Sequence, residues 1–301
     1  MDKSIPRRFK SISEFNRAFG QPKPLHPLIS LIDIKNTNIL PDELFSSFIL
    51  DFYKIAYKTN VHGKAKYGQN YYDFGEGGLI FSAPNQVFER PETGKSGNAL
   101  LIHPDFLLTY PLAKKIKQYG FFSYAANEAL HLSDSEKETI LTIFKIIDDE
   151  LKSRIDDFSQ DVIISQIELL LNYSNRFYKR QFITRKAVNS DVLQNLEKLL
   201  DDYFNNEKSL LQGIPTVQFL AENLNISASY LSDMLRSLTG QNAQQHIHNR
   251  LMEKAKELLS ATNLTVAEVA YQLGFEYPQS FSKFFKTKAK FSPLEFRQSF
   301  N

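Results

Sequence analysis

The 301-residue sequence predicts an α+β protein in which an antiparallel β-barrel precedes an all-α domain. Two observations predict this order. Short runs of β-branched and aromatic residues alternate with turn residues from Leu28 to His103, as in small all-β domains. After Ser133, apolar residues recur at the three- and four-residue spacing of amphipathic helices. We therefore expect a barrel domain over residues 1–130, a helical segment and connector over 131–190, and a helical domain over 191–301.

Composition limits the possible classes of protein. The chain is 42% hydrophobic and 23% charged, which is typical of a globular protein, and it is long enough to form two cores. No run approaches the roughly eighteen apolar residues of a membrane span, and the charged start of the chain lacks the apolar stretch of a signal peptide. Because cysteine is absent, disulfides, thiolate catalysis and thiolate metal sites are excluded. We expect a cytoplasmic protein without a membrane partner.

The predicted strands are short and closely spaced. They cover Leu28–Ile34, Phe45–Tyr57, Tyr71–Phe74, Leu79–Ala83, Gln86–Phe88 and Ala99–Ile102. A closed barrel is favoured over a sandwich because closure removes exposed strand edges. The region is rich in aromatic residues, which either fill the core or line a site for a small apolar ligand. These residues are Phe45, Phe48, Phe52, Tyr53, Tyr57, Tyr67, Tyr71, Tyr72, Phe74, Phe81 and Phe88.

Two amphipathic helices and a basic stretch follow the predicted barrel. The first helix carries Ile140, Phe144, Ile147 and Leu151 on one stripe, and the second carries Ile163, Ile167, Leu170 and Ser174 and ends near Phe177. The helices either cover the barrel or pair with a second subunit, or do both, and a homodimer is the expected assembly. The stretch Asn172–Ser190 has no acidic residue and is predicted as a connector. Its basic side chains, which either contact phosphate or face solvent, are Arg176, Lys179, Arg180, Arg185 and Lys186.

Residues 216–285 contain one helix-turn-helix pattern twice. In the first copy Val217, Leu220, Ala221 and Leu224 precede Leu231 and Leu235, and in the second Val266, Val269, Ala270 and Leu273 precede Phe281 and Phe285. The spacing i, i+3, i+4, i+7 followed by a second apolar pair predicts two short helices packed across each other. Asn225 and Gly274 occupy the turns, and both residue types tolerate left-handed backbone. Each unit can place its second helix in the major groove of double-stranded DNA.

The second helix of each unit is predicted to present polar side chains outward. They are Ser229, Ser232, Asp233 and Arg236 in the first unit, and Gln279, Ser280, Lys283 and Lys286 in the second. Glutamine and lysine can bond to adenine or guanine, serine discriminates less, and aspartate can accept from cytosine. Phe284 is expected to face inward. The second unit is therefore predicted to bind DNA more strongly, within a basic cluster of Lys283, Lys286, Lys288, Lys290 and Arg297.

Helix signals also define the connection between the two units. Thr216 and Thr265 are predicted N-caps, and Ser292 followed by Pro293 starts a final helix. A joining helix over residues 243–260 places Ile247, Leu251, Ala255 and Leu258 on one side. Its roughly eighteen residues span about 27 Å. With the width of the units added, the two recognition helices come close to the roughly 34 Å between successive major grooves.

Residues 195–301 resemble the DNA-binding domain of AraC/XylS-type transcription regulators. The matching stretches are Leu220–Glu222, Ser229–Ser232, Thr239–Gly240, Ala255–Leu259, Val266–Phe275, Gln279–Lys286 and Ser292–Arg297. The resemblance implies promoter binding and control of transcription, often activation through contact with RNA polymerase. For the N-terminal region it implies, by architecture alone, a cupin-like sensory and dimerisation domain for a small effector. The chain departs from the family pattern at Asp233, where a basic residue is common, and at Lys290, where glycine is usual.

Catalytic and cofactor motifs are not evident in the sequence. A metal-binding cupin needs a His-x-His pair, but His62 stands alone and the other N-terminal histidines lack that spacing. His246 and His248 are two apart on a predicted helix and so point to different faces. We therefore expect no catalytic residue, cofactor or metal. The alternative is a cupin-like enzyme or metal-binding protein with an accessory DNA-binding tail.

Overall fold

The computed structural model describes residues 6–36, 47–59, 65–67, 70–72, 77–89, 96–125, 128–153, 156, 158–184, 186–206 and 208–299. The chain divides into two compact units, Met1–Gln181 and Phe182–Asn301. The first unit combines sheets with helices, and the described part of the second is helical. The predicted α+β class is therefore confirmed, while the boundaries placed after residues 130 and 190 stay predictions.

The described strands of the first unit form three sheets. They are β1 (Arg7–Phe9), β2 (Ile29–Asp33), β3 (Ser47–Leu50), β4 (Tyr53–Thr59), β5 (Ala65–Tyr67), β6 (Asn70–Tyr72), β7 (Gly78–Ser82), β8 (Val87–Glu89), β9 (Ser96–Ile102) and β10 (Leu130–His131). The largest sheet is antiparallel with the order β10-β7-β4-β9-β2. A second has the order β1-β3-β8, with β1 parallel to β3, and β5 pairs with β6. Within the described residues β2 and β10 are edge strands, so a closed barrel is not confirmed.

Residues 45–57 were expected to form one strand, and this prediction is wrong. β3 ends at Leu50 and β4 begins at Tyr53 because Asp51 is held between them. The backbone N–H of Asp51 donates to the carbonyl of Phe9 at 3.0 Å, and its carboxylate pairs with Arg8. The break directs β3 and β4 into different sheets.

Aromatic packing dominates the core of the first unit. One cluster joins β1, β3, β4 and β9 to helix α1 (Ile12–Ala18). In it the rings of Phe48 and Phe88 stack at 5.2 Å, and Phe52 meets Phe15 edge-on at 5.8 Å. Elsewhere Phe81 lies 4.5 Å from the ring of Phe121. Of the predicted aromatics, Phe48, Phe52 and Phe81 are buried core residues, and Phe88 is half-buried against the cluster. Phe45 and Phe74, and the side chains of Tyr67, Tyr71 and Tyr72, lie outside the described part of the structure.

The next described α-helices are α2 (Leu112–Lys115), α3 (Asp134–Lys152) and α4 (Ser159–Thr184). Helix α3 begins with a reciprocal capping box formed by Ser133 and Glu136. The prediction that the second helix ends near Phe177 is wrong. α4 continues to Thr184 and the next helix begins at Lys186, so the predicted connector is helical on both sides of residue 185.

Polar contacts explain why α4 does not end at Phe177. Gln181 accepts from the backbone N–H of His131 at 2.8 Å and donates to the carbonyl of Ala129 at 3.2 Å. Tyr178 donates to the carbonyl of Glu128 at 3.1 Å. These side chains satisfy backbone groups near β10 that burial would otherwise leave unpaired. The last turns of the helix are therefore tied to the sheet.

The described part of the second unit consists of two long helices, α5 and α9, and several short ones, most of which pack against α9. The elements are α5 (Lys186–Asn205), α6 (Lys208–Gln212), α7 (Val217–Asn223), α8 (Ala228–Thr239), α9 (Ala243–Ala261), α10 (Val266–Gln272), α11 (Pro278–Ala289) and α12 (Pro293–Gln298). The predicted N-caps Thr216, Thr265 and Ser292 are confirmed by side-chain hydrogen bonds. Among the described helices of the whole chain, none combines the length and hydropathy needed to cross a membrane.

Helices α8 and α11 end with the same backbone geometry but with different residues. Gly240 follows α8 with φ 78°, and Lys290 follows α11 with φ 69°. The N–H groups of Gly240 and Lys290 donate to the carbonyls of Arg236 and Lys286 at 3.0 and 2.9 Å. Glycine adopts this left-handed conformation freely, whereas a residue with a Cβ loses about 1 kcal/mol. Lys290 is therefore a strained helix end.

We expect Lys290→Gly to raise the free energy of unfolding of the C-terminal compact unit by about 0.5–1 kcal/mol, because glycine relieves the left-handed strain. The measurement is the denaturant midpoint of the full chain. Lys288→Gly removes the same charge inside α11 and should instead destabilise by about 1 kcal/mol. A destabilised Lys290→Gly variant would contradict the strain argument.

Candidate nucleic-acid interface

The two helix-turn-helix units share one turn geometry. Asn225 has φ 56° and Gly274 has φ 88°, as their predicted turn positions require. After each turn a backbone N–H donates five residues back, from Ile226 to Ala221 and from Phe275 to Ala270, both at 3.0 Å. In both units the predicted apolar pairs are buried. They are Leu231 and Leu235 on α8, and Phe281 and Phe285 on α11.

Helix α9 joins the two units through its apolar side. It packs against α7 and α8 of the first unit and against α10 of the second. The buried residues of α9 are Ala243, Ile247, Leu251, Met252, Ala255 and Leu259. The predicted stripe is therefore corrected at one position, because Leu259 is buried and Leu258 only half-buried. With 19 residues, α9 is about 28 Å long.

A close backbone contact fixes the second helix-turn-helix unit to the segment that precedes the first helix-turn-helix unit. Gly274 approaches Gly213 and Ile214 so closely that a Cβ on Gly274 would lie 2.5 Å from the carbonyl carbon of Gly213. Two side chains reinforce this contact. Tyr203 donates to the carbonyl of Gly213 at 3.0 Å, and Ser209 donates to the carbonyl of Gln272 at 2.6 Å. Glycine at position 274 is thus required by both the turn and the approach.

The outer face of α8 is electrically balanced. Ser229, Ser232 and Asp233 are half-buried, and Arg236 is exposed. Arg236 Nη1 donates to Asp233 Oδ1 at 2.7 Å. α8 contains no other charged residue, so its formal charge is zero. The predicted contact residues of the first unit therefore form one polar stripe, within which the acid and the base are paired.

The outer face of α11 is positively charged. Gln279, Ser280, Lys283 and Lys286 are all exposed. α11 contains three lysines and no acidic residue. Among the described residues, Lys283 and Lys286 have no carboxylate within 4 Å. The exposed charge is therefore available to phosphate.

Two neighbouring side chains differ from their predicted roles, and the sequence prediction misses a third residue. Phe284 is half-buried rather than fully inward, and its ring contacts those of Phe275 and His248 at 5.7 and 5.3 Å. Arg297 belongs to the predicted basic cluster, but its Nε donates to the carbonyl of Leu259 at 3.0 Å at the end of α9. The missed residue is Tyr277, an exposed aromatic side chain just before α11.

The pKa values of both histidines of α9 are lowered, which disfavours their charged forms. Burial lowers the pKa of His246, opposed by the carboxylate of Glu197. Burial also lowers the pKa of His248, and the charge of Lys288 acts in the same direction. His246 Nε2 lies 2.9 Å from Thr239 Oγ1. Both side chains therefore serve packing and hydrogen bonding between the helices.

A cavity of about 350 Å³ lies in the N-terminal compact unit, Met1–Gln181. Its volume is within the range of small-molecule sites. It is lined by Lys54, Ala56, Lys58, Ile80, Phe81, Ser82, Gln86, Val87, Phe88, Tyr124 and Ala125. Lys54 Nζ lies 5.3 Å from the centre of the Phe88 ring. No group of three or more metal-ligating side chains occurs among the described residues, and His62 lies outside them.

Comparing Gly274→Ala with Gly240→Ala separates strain from crowding. A Cβ at Gly240 meets nothing within 4 Å, so that variant should lose only about 1 kcal/mol of stability. Gly274→Ala should lose about 2–4 kcal/mol, because the clash with Gly213 adds to the strain. Denaturant unfolding of the full chain measures both. Equal losses would show that the Gly213–Gly274 approach is unimportant.

Comparison with known proteins agrees with this geometry. Residues 220–299 match the helix-turn-helix domain family. The uncharacterized HTH-type transcriptional regulator YfiF of Bacillus subtilis is 24% identical over 261 residues, covering 82% of this chain and 76% of that protein. The HTH-type transcriptional activator RhaS of Salmonella newport is 27% identical over 141 residues, so the chain spans 46% of its length.

A solved structure is similar over the same kind of domain. The C-terminal domain of the two-component response regulator yesN from Fusobacterium nucleatum is 34% identical, and the match covers 34% of this chain and 98% of that domain, with a TM-score of 0.30. With its duplicated helix-turn-helix pattern and these relatives, the chain belongs, through its C-terminal domain, to the AraC/XylS family of transcription regulators.

Proposed function

We propose that this chain is a sequence-specific transcription regulator that uses both helix-turn-helix units on one stretch of promoter DNA. The pairing of two units on α9 is the observation that carries the proposal. α9 is about 28 Å long, and the units add their own width to the separation of α8 and α11. The resulting spacing suits the roughly 34 Å between successive major grooves on one face of DNA. Slight bending of the DNA would match the groove spacing to the fixed length of α9.

The two units have different proposed roles on DNA. Lys283 and Lys286 of α11 contact phosphates or guanine, while Gln279 and Ser280 lie in the first turn, the end of a recognition helix that reaches base edges. On α8, Ser229, Ser232, Asp233 and Arg236 provide selectivity with no net charge. Affinity therefore comes mainly from the second unit.

The N-terminal unit is proposed to regulate this binding as a cupin-like sensory domain. The cavity lined by β4, β7 and β8 residues supports a small-molecule effector. Val162 and Leu169 of α4 are 39% and 41% exposed, and Phe158 just before this helix is 71% exposed. These apolar side chains support pairing with a second copy in a homodimer. Similarity to RhaS, a transcriptional activator, supports activation, and contact with RNA polymerase is part of the same proposal. A cytoplasmic location is consistent with this role.

Footprinting tests the central proposal. The purified full chain is applied to the promoter regions adjoining its own coding sequence, with and without candidate small molecules. We expect protection over two successive major grooves on one DNA face, about 20 base pairs in all. If no discrete protected site appears under any condition, the proposed function is wrong.

Lys283→Ala and Ser232→Ala should affect binding differently. Loss of Lys283 removes a phosphate contact, so affinity should fall on every sequence and the salt slope should decrease by about 1. Ser232→Ala should change base preference and leave the slope unchanged. Lys145→Ala, which removes an exposed charge from α3, is the matched control. Identical losses in the two variants would contradict the division of roles.

A further inference from the structure

The two charged side chains of α8 are paired with each other. Asp233 is the acidic residue of the polar stripe, and its side chain is 30% exposed, whereas that of Arg236 is 56% exposed. They lie one turn apart, and Arg236 Nη1 donates to Asp233 Oδ1 at 2.7 Å. The guanidinium is therefore held along the outer surface of the helix.

Neither stability nor general DNA affinity accounts for an acid at this position. An exposed ion pair within a helix contributes little to stability, because solvent screens it and the side chains lose freedom. Beside DNA, the carboxylate of Asp233 would also repel phosphate. Because Asp233 Oδ1 already accepts from Arg236 rather than facing a base alone, the direct physical consequence of the pair is the orientation of Arg236.

We propose that Asp233 is a positioning residue that aims Arg236 at a guanine in the half-site read by the first unit. This inference rests on the proposed function. Asp233 lies one turn closer than Arg236 to the N-terminal end of α8, which is the end that enters the groove. The ion pair uses Nη1 and leaves the edge formed by Nε and Nη2 for two parallel hydrogen bonds to guanine O6 and N7.

The test compares base preference across a binding site in which each position is varied. The full-length chain and its variants Arg236→Ala, Asp233→Asn and the double variant are assayed on the footprinted site. Arg236→Ala should lose about tenfold discrimination for G·C at one position, the order that a bidentate contact supplies. Asp233→Asn should lose discrimination at that same position, while its binding to unrelated DNA stays equal or becomes tighter.

The double variant and a control ion pair on α9 test whether Asp233 acts through Arg236. The double variant should discriminate no less than Arg236→Ala alone, because both changes remove one contact. Arg250 and Glu253 of α9 form a second i, i+3 pair at 2.8 Å, and Glu253→Gln should leave base preference unchanged. Tighter binding of Asp233→Asn to every sequence with discrimination intact would overturn the proposal. If wild type has no preferred site, the proposed function fails instead.

Discussion

Packing of both helix-turn-helix units against helix α9 is the interaction on which the rest of the C-terminal compact unit depends. A helix-turn-helix of two short helices buries too little apolar surface to hold a fixed position by itself. Here Ile247, Leu251 and Ala255 of α9 are fully buried, and both units pack against this helix. Because cores are packed as densely as crystals, such a joint does not deform continuously. The separation of α8 and α11 is therefore a property of the fold, and a site read by both must match it.

A second constraint on the position of the second helix-turn-helix unit comes from the segment that precedes the first helix-turn-helix unit. Contact between Gly274 and Gly213 leaves no room for a Cβ, and Tyr203 and Ser209 hold the backbones on either side. The family match begins at residue 220. The turn of the second helix-turn-helix unit, however, contacts Gly213, which precedes the matched region. The segment containing α5 and α6 is thus part of the DNA-binding domain in structural terms.

Local patterns were readable from the sequence, and long-range pairings were not. The repeated spacing, the N-cap Thr265 and the turn at Gly274 each depend on residues within a few positions, so the sequence predicts α7, α8, α10 and α11, whereas it predicts neither the start of α5 at Lys186 nor α6. α4 was ended too early because absence of acidic residues is not a helix stop signal. Gln181 holds that helix to Ala129, 52 residues away. At the candidate site, the helical periodicity of α11 predicts that Lys283 is exposed. The Asp233–Arg236 ion pair cannot be predicted this way, because it depends on the conformations of both side chains.

Unequal charge on the two recognition helices is consistent with one domain doing two tasks. α11 carries three lysines without an acid, and α8 is neutral. Phosphate attraction is independent of sequence, so a helix that relies on it binds widely. A neutral helix gains little from phosphate and is sensitive to its base contacts. In the proposed function, α9 holds both helices together, so phosphate attraction at α11 brings α8 to the major groove. An incorrect base contacted by α8 then lowers the affinity, and phosphate attraction at α11 does not restore it.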